Sequence, residues 1–230
     1  MKVVDIERLS EAAHKVGATV VVDNTFATPI NQNPLSLGAD LVLHSATKFL
    51  GGHADALGGV VAGSAELVKK VYGYREIHGA TLAPMSGYML LRGMKTLALR
   101  IERQNSNARK VAEFLAGHPA IDKVYYPGLP THPGHDIASK QMKGFGGMLA
   151  FSHKRGFDVL KRILPSLKYA HLAANLGAVE TTVGVPRTTS HVESTPEQRE
   201  AMGIPESLVR YSAGIEDPDD IIADLEQALD

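Results

Sequence analysis

The sequence predicts an α/β protein: a mainly parallel sheet in a first unit over residues 1–100, then a smaller α/β unit over residues 101–230. Three observations carry this. Short β-branched apolar runs alternate with helical periodicities in the first unit. A long helical pattern between Met85 and Leu115 leads away from them. Beyond it, strand and helix patterns start afresh with their own turn and cap signals.

Ile6, Leu9, Ala13 and Val16 recur at helical spacing from Asp5 onward, and Gly17 is a C-terminal stop. Residues 18–22 then read as a buried strand. A second strand is expected at 41–43, after the Asn33-Pro34 and Gly38 punctuation, and a third at 59–62, after a glycine-rich stretch. Leu90, Leu91, Met94, Leu97, Ile101, Ala108, Val111 and Leu115 suit one long helix or two in series. The second unit reads as strand at 123–126, a Pro/Gly/His-rich surface loop at 127–135, strand at 148–152 and helix near 157–164. Thr195-Pro196 with Gln198 is a capping-box pattern, and Asp217-Pro218 opens a last helix whose stripe is Ile221, Ile222, Leu225 and Leu229. The chain opens directly in a helix, so the first unit has only about three strands, few for a doubly wound sheet. Further strands are expected upstream.

Composition narrows the function classes. Lys and Arg number 24 against 25 Asp and Glu, with no dense run of either sign, so nucleic acid and membrane surfaces are not expected partners. A small-molecule ligand is. The 44 % apolar and 21 % charged content suits a soluble globular chain with a sizeable core. The absence of cysteine excludes a disulfide framework, a thiolate nucleophile and a Cys-based zinc site, and fits a reducing compartment. Met1 leads into a polar amphipathic segment, and no apolar run approaches the ~20 residues that span a bilayer. A cytoplasmic protein is expected. Among the histidines the nearest pairing, His132-Pro133-Gly134-His135, has no third ligand in reach, so no metal site is expected.

Ligands of open α/β sheets bind outside the carboxyl ends of the strands. There the first expected strand ends in Asp23-Asn24-Thr25, and the second in His44-Ser45-Ala46-Thr47-Lys48. A lone Asp or Lys at such a tip is ordinarily a turn residue or a solvated charge. The string Ser45-Ala46-Thr47-Lys48-Phe49-Leu50-Gly51-Gly52-His53, starting 22 residues after Asp23, is more specific. Its glycines follow the lysine and do not open a helix after the first strand, so they are no dinucleotide fingerprint. Turn flexibility is the expected reason for them.

Val22-Asp23-Asn24-Thr25-Phe26-Ala27-Thr28-Pro29 followed by that string resembles the signature of the Cys/Met metabolism family of pyridoxal-5′-phosphate (PLP) enzymes. That family includes cystathionine gamma-synthases, cystathionine gamma- and beta-lyases, methionine gamma-lyases and homoserine-ester sulfhydrylases. Arg92-Gly93-Met94-Lys95-Thr96-Leu97 is similar to its inter-domain helix. Asn175-Leu176-Gly177-Ala178-Val179-Glu180, and the run from Leu208-Val209-Arg210-Tyr211-Ser212 to Asp217, are similar to its two C-terminal active-site segments.

The resemblance implies a type I PLP-dependent transferase (aspartate aminotransferase-like) fold, N-terminally truncated here. Residues 1–100 would be the C-terminal part of the large PLP-binding domain and 101–230 the smaller domain. It implies that Lys48 carries the cofactor as a Schiff base and shuttles the substrate Cα proton, and that Asp23 partners the pyridine nitrogen. Ser45 and Thr47 would hold phosphate, and Arg210 would clamp the substrate carboxylate, with Asn175 standing where many members have a serine. Ala174 replaces an acid of cystathionine-cleaving relatives, and His191 matches a histidine at the cleft edge. The implied function is gamma-replacement or elimination on homoserine-derived or sulfur amino acids, cystathionine gamma-synthase-like, with cystathionine or methionine lyase as runner-up. The implied assembly is a homo-oligomer, the family's tetramer of dimers. A reading of another class is a catalytically incomplete fragment that serves only as a binding or assembly module.

Overall fold

In the computed structural model, which describes residues 1–230, α1 (Ile6–His14) is capped by the Asp5 side chain, which accepts from the Arg8 N–H. Ile6 and Ser10 are buried, whereas Leu9 and Val16 are exposed. β1 (Val21–Asp23) leads through α2 (Thr28–Asn31) to β2 (Leu41–Ser45), and a glycine-rich connection returns the chain along β3 (Gly59–Gly63). These strands form one sheet in the order β1-β2-β3.

That sheet corrects two expectations. It is mixed: β1 and β2 run parallel, with Asp23 beside Leu43, but β3 runs antiparallel to β2, with Gly59 beside Ser45. A parallel return needs a crossover of about a dozen residues or more, usually helical. The connection after Ser45 holds one wide helical turn (Ala46–Leu50) and no helix long enough to cross the sheet, and the chain returns antiparallel. Nor are these strands all buried. Val21 is 51 % exposed, and β3 is exposed along most of its length. The β-branched residues mark the strands, but burial needs a layer on each face, and β1 and β3 are edges.

α3 (Ala65–His78), capped by Ser64 and closed by left-handed Gly79, was not expected. It buries no residue, because its apolar side chains are scattered around the axis. Tyr72, Tyr74 and Ile77 of α3, together with Leu82, Met85, Tyr88 and Leu91, are exposed apolar side chains. The long helical pattern resolves into α4 (Pro84–Met94) and α5 (Leu97–Gly117). α5 serves two cores. Leu97 and Ile101 pack with Ala46, Phe49, Leu50 and Met148, whereas Ala108, Val111, Ala112 and Leu115 belong to the larger cluster around Leu149, Phe151, Tyr211 and Ile221.

The rest of the chain runs through β4 (Ile121–Tyr125), α6 (His135–Gln141), β5 (Met148–His153), α7 (Phe157–Ser166), β6 (His171–Leu172), β7 (Thr182–Gly184), α8 (Pro196–Ala201), β8 (Leu208–Ser212) and α9 (Pro218–Leu229), and its strands form a second sheet. Its order is β4-β5-β8-β7-β6, antiparallel except for β6 beside β7. The capping box at Thr195 forms as expected, and α9 buries Ile221, Leu225 and Leu229. The loop at 127–135 is less superficial than expected. His132 is buried, with its ring bonded to the Met1 carbonyl and to the Gly134 N–H. No helix is long and apolar enough to cross a membrane.

Candidate active site

The tips of β1 and β2 are laced together by their own polar residues. Asp23 Oδ1 accepts from the Thr25 N–H at 2.9 Å, and Thr25 Oγ1 accepts from the Ser45 N–H at 2.8 Å. Buried Asn24 exchanges hydrogen bonds with Gln32. Thr25 thus links Asp23 to Ser45, and with Lys48 they line a cleft of about 540 Å³ whose apolar wall includes Val4, Phe26, Phe145 and Met148.

Lys48 interrupts the wide turn after β2: its backbone (φ −89°, ψ −127°) leaves helical geometry. Its Nζ donates to Asn175 Oδ1 at 2.8 Å across 127 residues of sequence. Asn175 in turn is held by Arg210 on β8, whose Nη2 donates to the carbonyls of Ala173, Ala174 and Asn175, the last at 2.8 Å. Burial, and then the positive charge of Arg210, lower the Lys48 ammonium below the ordinary lysine value. Both act in the direction of the neutral amine.

Of the residues singled out from sequence, Asp23, Ser45 and Lys48 share the cleft, and Asn175 and Arg210 reach it through Lys48. Thr47 does not line it. Its hydroxyl accepts from the Gly58 N–H at 3.1 Å, which ties down the glycine-rich loop. His191 bonds Ser190 Oγ and lines no part of the cleft. Close packing is one reason for the glycines directly after Lys48, and the left-handed backbone of Gly52 (φ 75°) is another. A Cβ on Gly51 would sit 2.9 Å from Leu90, and one on Gly52 would sit 2.0 Å from Arg100. Thr25 and Gly177, to which the sequence pattern assigns no role of their own, each join two segments of the site. A Cβ on Gly177 would press 2.8 Å from the Phe49 nitrogen, a contact between distant segments that no local pattern announces.

Residues 1–230, the whole chain, match the family model described as Cys/Met metabolism PLP-dependent enzyme. The chain belongs to that family. Among its curated relatives, the L-methionine gamma-lyase of Fusobacterium nucleatum subsp. polymorphum is 51 % identical over all of this chain and 59 % of the relative. Cystathionine gamma-synthase 1, chloroplastic, of Arabidopsis thaliana is 46 % identical over all of this chain and 41 % of the relative. A crystal structure of cystathionine gamma synthase from Xanthomonas oryzae pv. oryzae in complex with cystathionine superposes with a TM-score of 0.96 at 43 % identity, covering 99 % of this chain and 59 % of that one. The chain thus spans about three-fifths of the length of the methionine gamma-lyase and of the Xanthomonas structure. The fold is that of this α/β family of PLP enzymes, and the family's cofactor is PLP. The donor set here fits that cofactor: an amine, a carboxylate and a hydroxyl converge on one cleft, and Arg210 Nε is buried without a partner.

Proposed function

We propose that this chain carries the lysine-bearing part of an enzyme of sulfur amino-acid metabolism that performs gamma-replacement or elimination on homoserine-derived or sulfur amino acids, in the manner of a cystathionine gamma-synthase. The observation that carries this reading is the chain Lys48–Asn175–Arg210 beside Asp23. Elimination from methionine or cystathionine is the second reading, favoured by the 51 % identity to a methionine gamma-lyase.

When bound, PLP supplies an electron sink for a carbanion at the substrate Cα. The residues of this chain would do the rest. Asp23, held by the Thr25 N–H, would accept from the pyridine N–H, and Ser45 would donate to phosphate. Thr47 would have to turn from Gly58 to join it. Arg210 would bind the substrate carboxylate through Nη1, which makes no hydrogen bond within the protein, while Nη2 keeps the loop at 173–175 in place. Lys48 Nζ, biased toward the neutral amine, would take the Cα proton and pass it on, with Asn175 Oδ1 holding the ammonium between transfers.

We further propose that residues 1–100 and 101–230 are parts of a larger and a smaller domain, a division supported by the two separate sheets. A homo-oligomer is supported by the exposed apolar side chains of α3 and α4, and a cytoplasmic setting by the lack of cysteine.

The test uses protein expressed from the complete coding sequence, supplied with O-acyl-homoserine plus cysteine or sulfide, against cystathionine and methionine alone. Turnover only with the last two would replace the synthase reading with the lyase reading. Lys48→Ala should abolish both turnover and the absorbance of the lysine-bound cofactor. Retention of turnover would refute the assignment of Lys48.

A further inference from the structure

α5 carries a polar stripe down a buried face. Arg100, Gln104 and Asn107 recur at helical spacing, and they are 4 %, 0 % and 0 % exposed. None bonds an acid side chain. Each donates to main-chain carbonyls of another segment. The Arg100 guanidinium reaches Phe49 O at 2.8 Å, Leu50 O at 3.1 Å and Gly93 O at 3.0 Å, and its Nε reaches Thr96 Oγ1 at 3.1 Å. Gln104 Nε2 donates to Ala178 O at 2.8 Å. Asn107 Nδ2 donates to Gly214 O at 3.0 Å and Glu216 O at 2.9 Å.

The recipients are the turn that carries Lys48, the loop that follows Asn175 and the strand end that follows Arg210. One helix face therefore grips the segments that carry Lys48, Asn175 and Arg210. The segments are also tied to each other: the Val179 N–H donates to Gly52 O, the Ile215 N–H to Val179 O, and the Gly177 N–H to Ser212 Oγ. Space enforces the fit. Gly52 lies against the Arg100 guanidinium, and a Cβ on Gly93 would fall 2.2 Å from Gly51 O. A buried cation without a counter-ion is costly, and carbonyls at the end of a helical turn are the partners that offset it.

We propose that Arg100 is a positioning residue for Lys48, and that the Arg100-Gln104-Asn107 stripe sets the register between Lys48 and the Asn175–Arg210 side of the cleft. Arg100 lines no part of the cleft. It fixes the two carbonyls that directly follow Lys48, and so fixes where the turn releases the lysine side chain. The planar fork matters as well as the charge: an ammonium cannot meet carbonyls from two segments and Thr96 at once.

This inference rests on the functional reading of Lys48, so the experiment separates the two. In the holoenzyme from the complete coding sequence, Arg100→Lys and Gln104→Met are compared with wild type and Lys48→Ala. For each, kcat, KM, the urea midpoint and the pH titration of the cofactor absorbance are measured. Arg100→Lys should lower kcat about ten- to a hundredfold, as expected for a reacting group displaced by up to about 1 Å. KM should change little, because Arg210 keeps its own contacts. The midpoint of the absorbance titration should move in Arg100→Lys and, more weakly, in Gln104→Met, which keeps the result readable where Arg100→Lys does not fold. A lower urea midpoint with unchanged titration and kcat in the folded variants would reduce the stripe to a structural role and overturn the proposal. If Lys48→Ala keeps the absorbance of the lysine-bound cofactor, the functional reading itself fails, whatever the stripe variants do.

Discussion

On the proposed reading Arg210 would add substrate binding to the loop contacts that it makes in this structure, and that changes what its replacement should do. Nη2 is spent on the three carbonyls at 173–175, so a substrate carboxylate would have to bind through Nη1. A lysine has one nitrogen for both. Arg210→Lys should therefore cost about 2 to 5 kcal/mol in kcat/KM, and it should also lower stability by about 1 kcal/mol as the loop contacts weaken. Steady-state kinetics and urea titration read the two effects separately, and near-normal kcat/KM would mean that another residue binds the carboxylate. The residue-level chemistry was partly legible. Asp23, Ser45 and Lys48 lie at strand tips within 25 residues of each other, so short-range pattern was enough to mark them. The Lys48–Asn175 bond was not, because only the tertiary fold joins residues 127 positions apart. The direction of Thr47 was hidden too, since the backbone leaves helical geometry at the next residue.

At the scale of elements, legibility tracked burial. α5 and α9 were readable because each hides a continuous stripe. Leu115, fully buried in α5, should lose about 2 to 5 kcal/mol on Leu115→Ala, the cost of a core cavity. Thr195→Ala should lose about 1 kcal/mol, since it removes the reciprocal cap of α8. Denaturant midpoints at constant slope would check both, and equal losses would deny the distinction between core and cap. α3 escaped notice for the converse reason: with no buried residue it has no stripe to read, and only Ser64 and Gly79 mark its ends. The two-residue β6 is too short for any alternation to show. The direction of β3 is a property of the connection and not of the strand, so its composition could not reveal it.

For the molecule as a whole, the buried histidines give stability a pH dependence of definite sign. Burial is the leading cause that lowers His44, His132 and His153 below the ordinary 6.5, with Asp23 opposing it at His44 and the Met1 carbonyl opposing it at His132. The unfolded chain keeps the ordinary value, so between the two it binds more protons than the folded one, and stability rises with pH there. The contribution is intact above 6.5 and is lost as pH falls through the folded values. Thermal midpoints should drop between about pH 7.5 and about pH 5.5, and His132→Asn should flatten the slope. An unchanged slope in that variant would exclude His132 as a source. The path of α5 has a different consequence. Because Ile101 sits in one core and Val111 in the other on a single rod, neither core can open without fraying the same helix. The two cores should therefore melt as one cooperative unit, with the α5 amides exchanging hydrogen only through global opening. The outlying α3 should exchange far sooner, by breathing on its own.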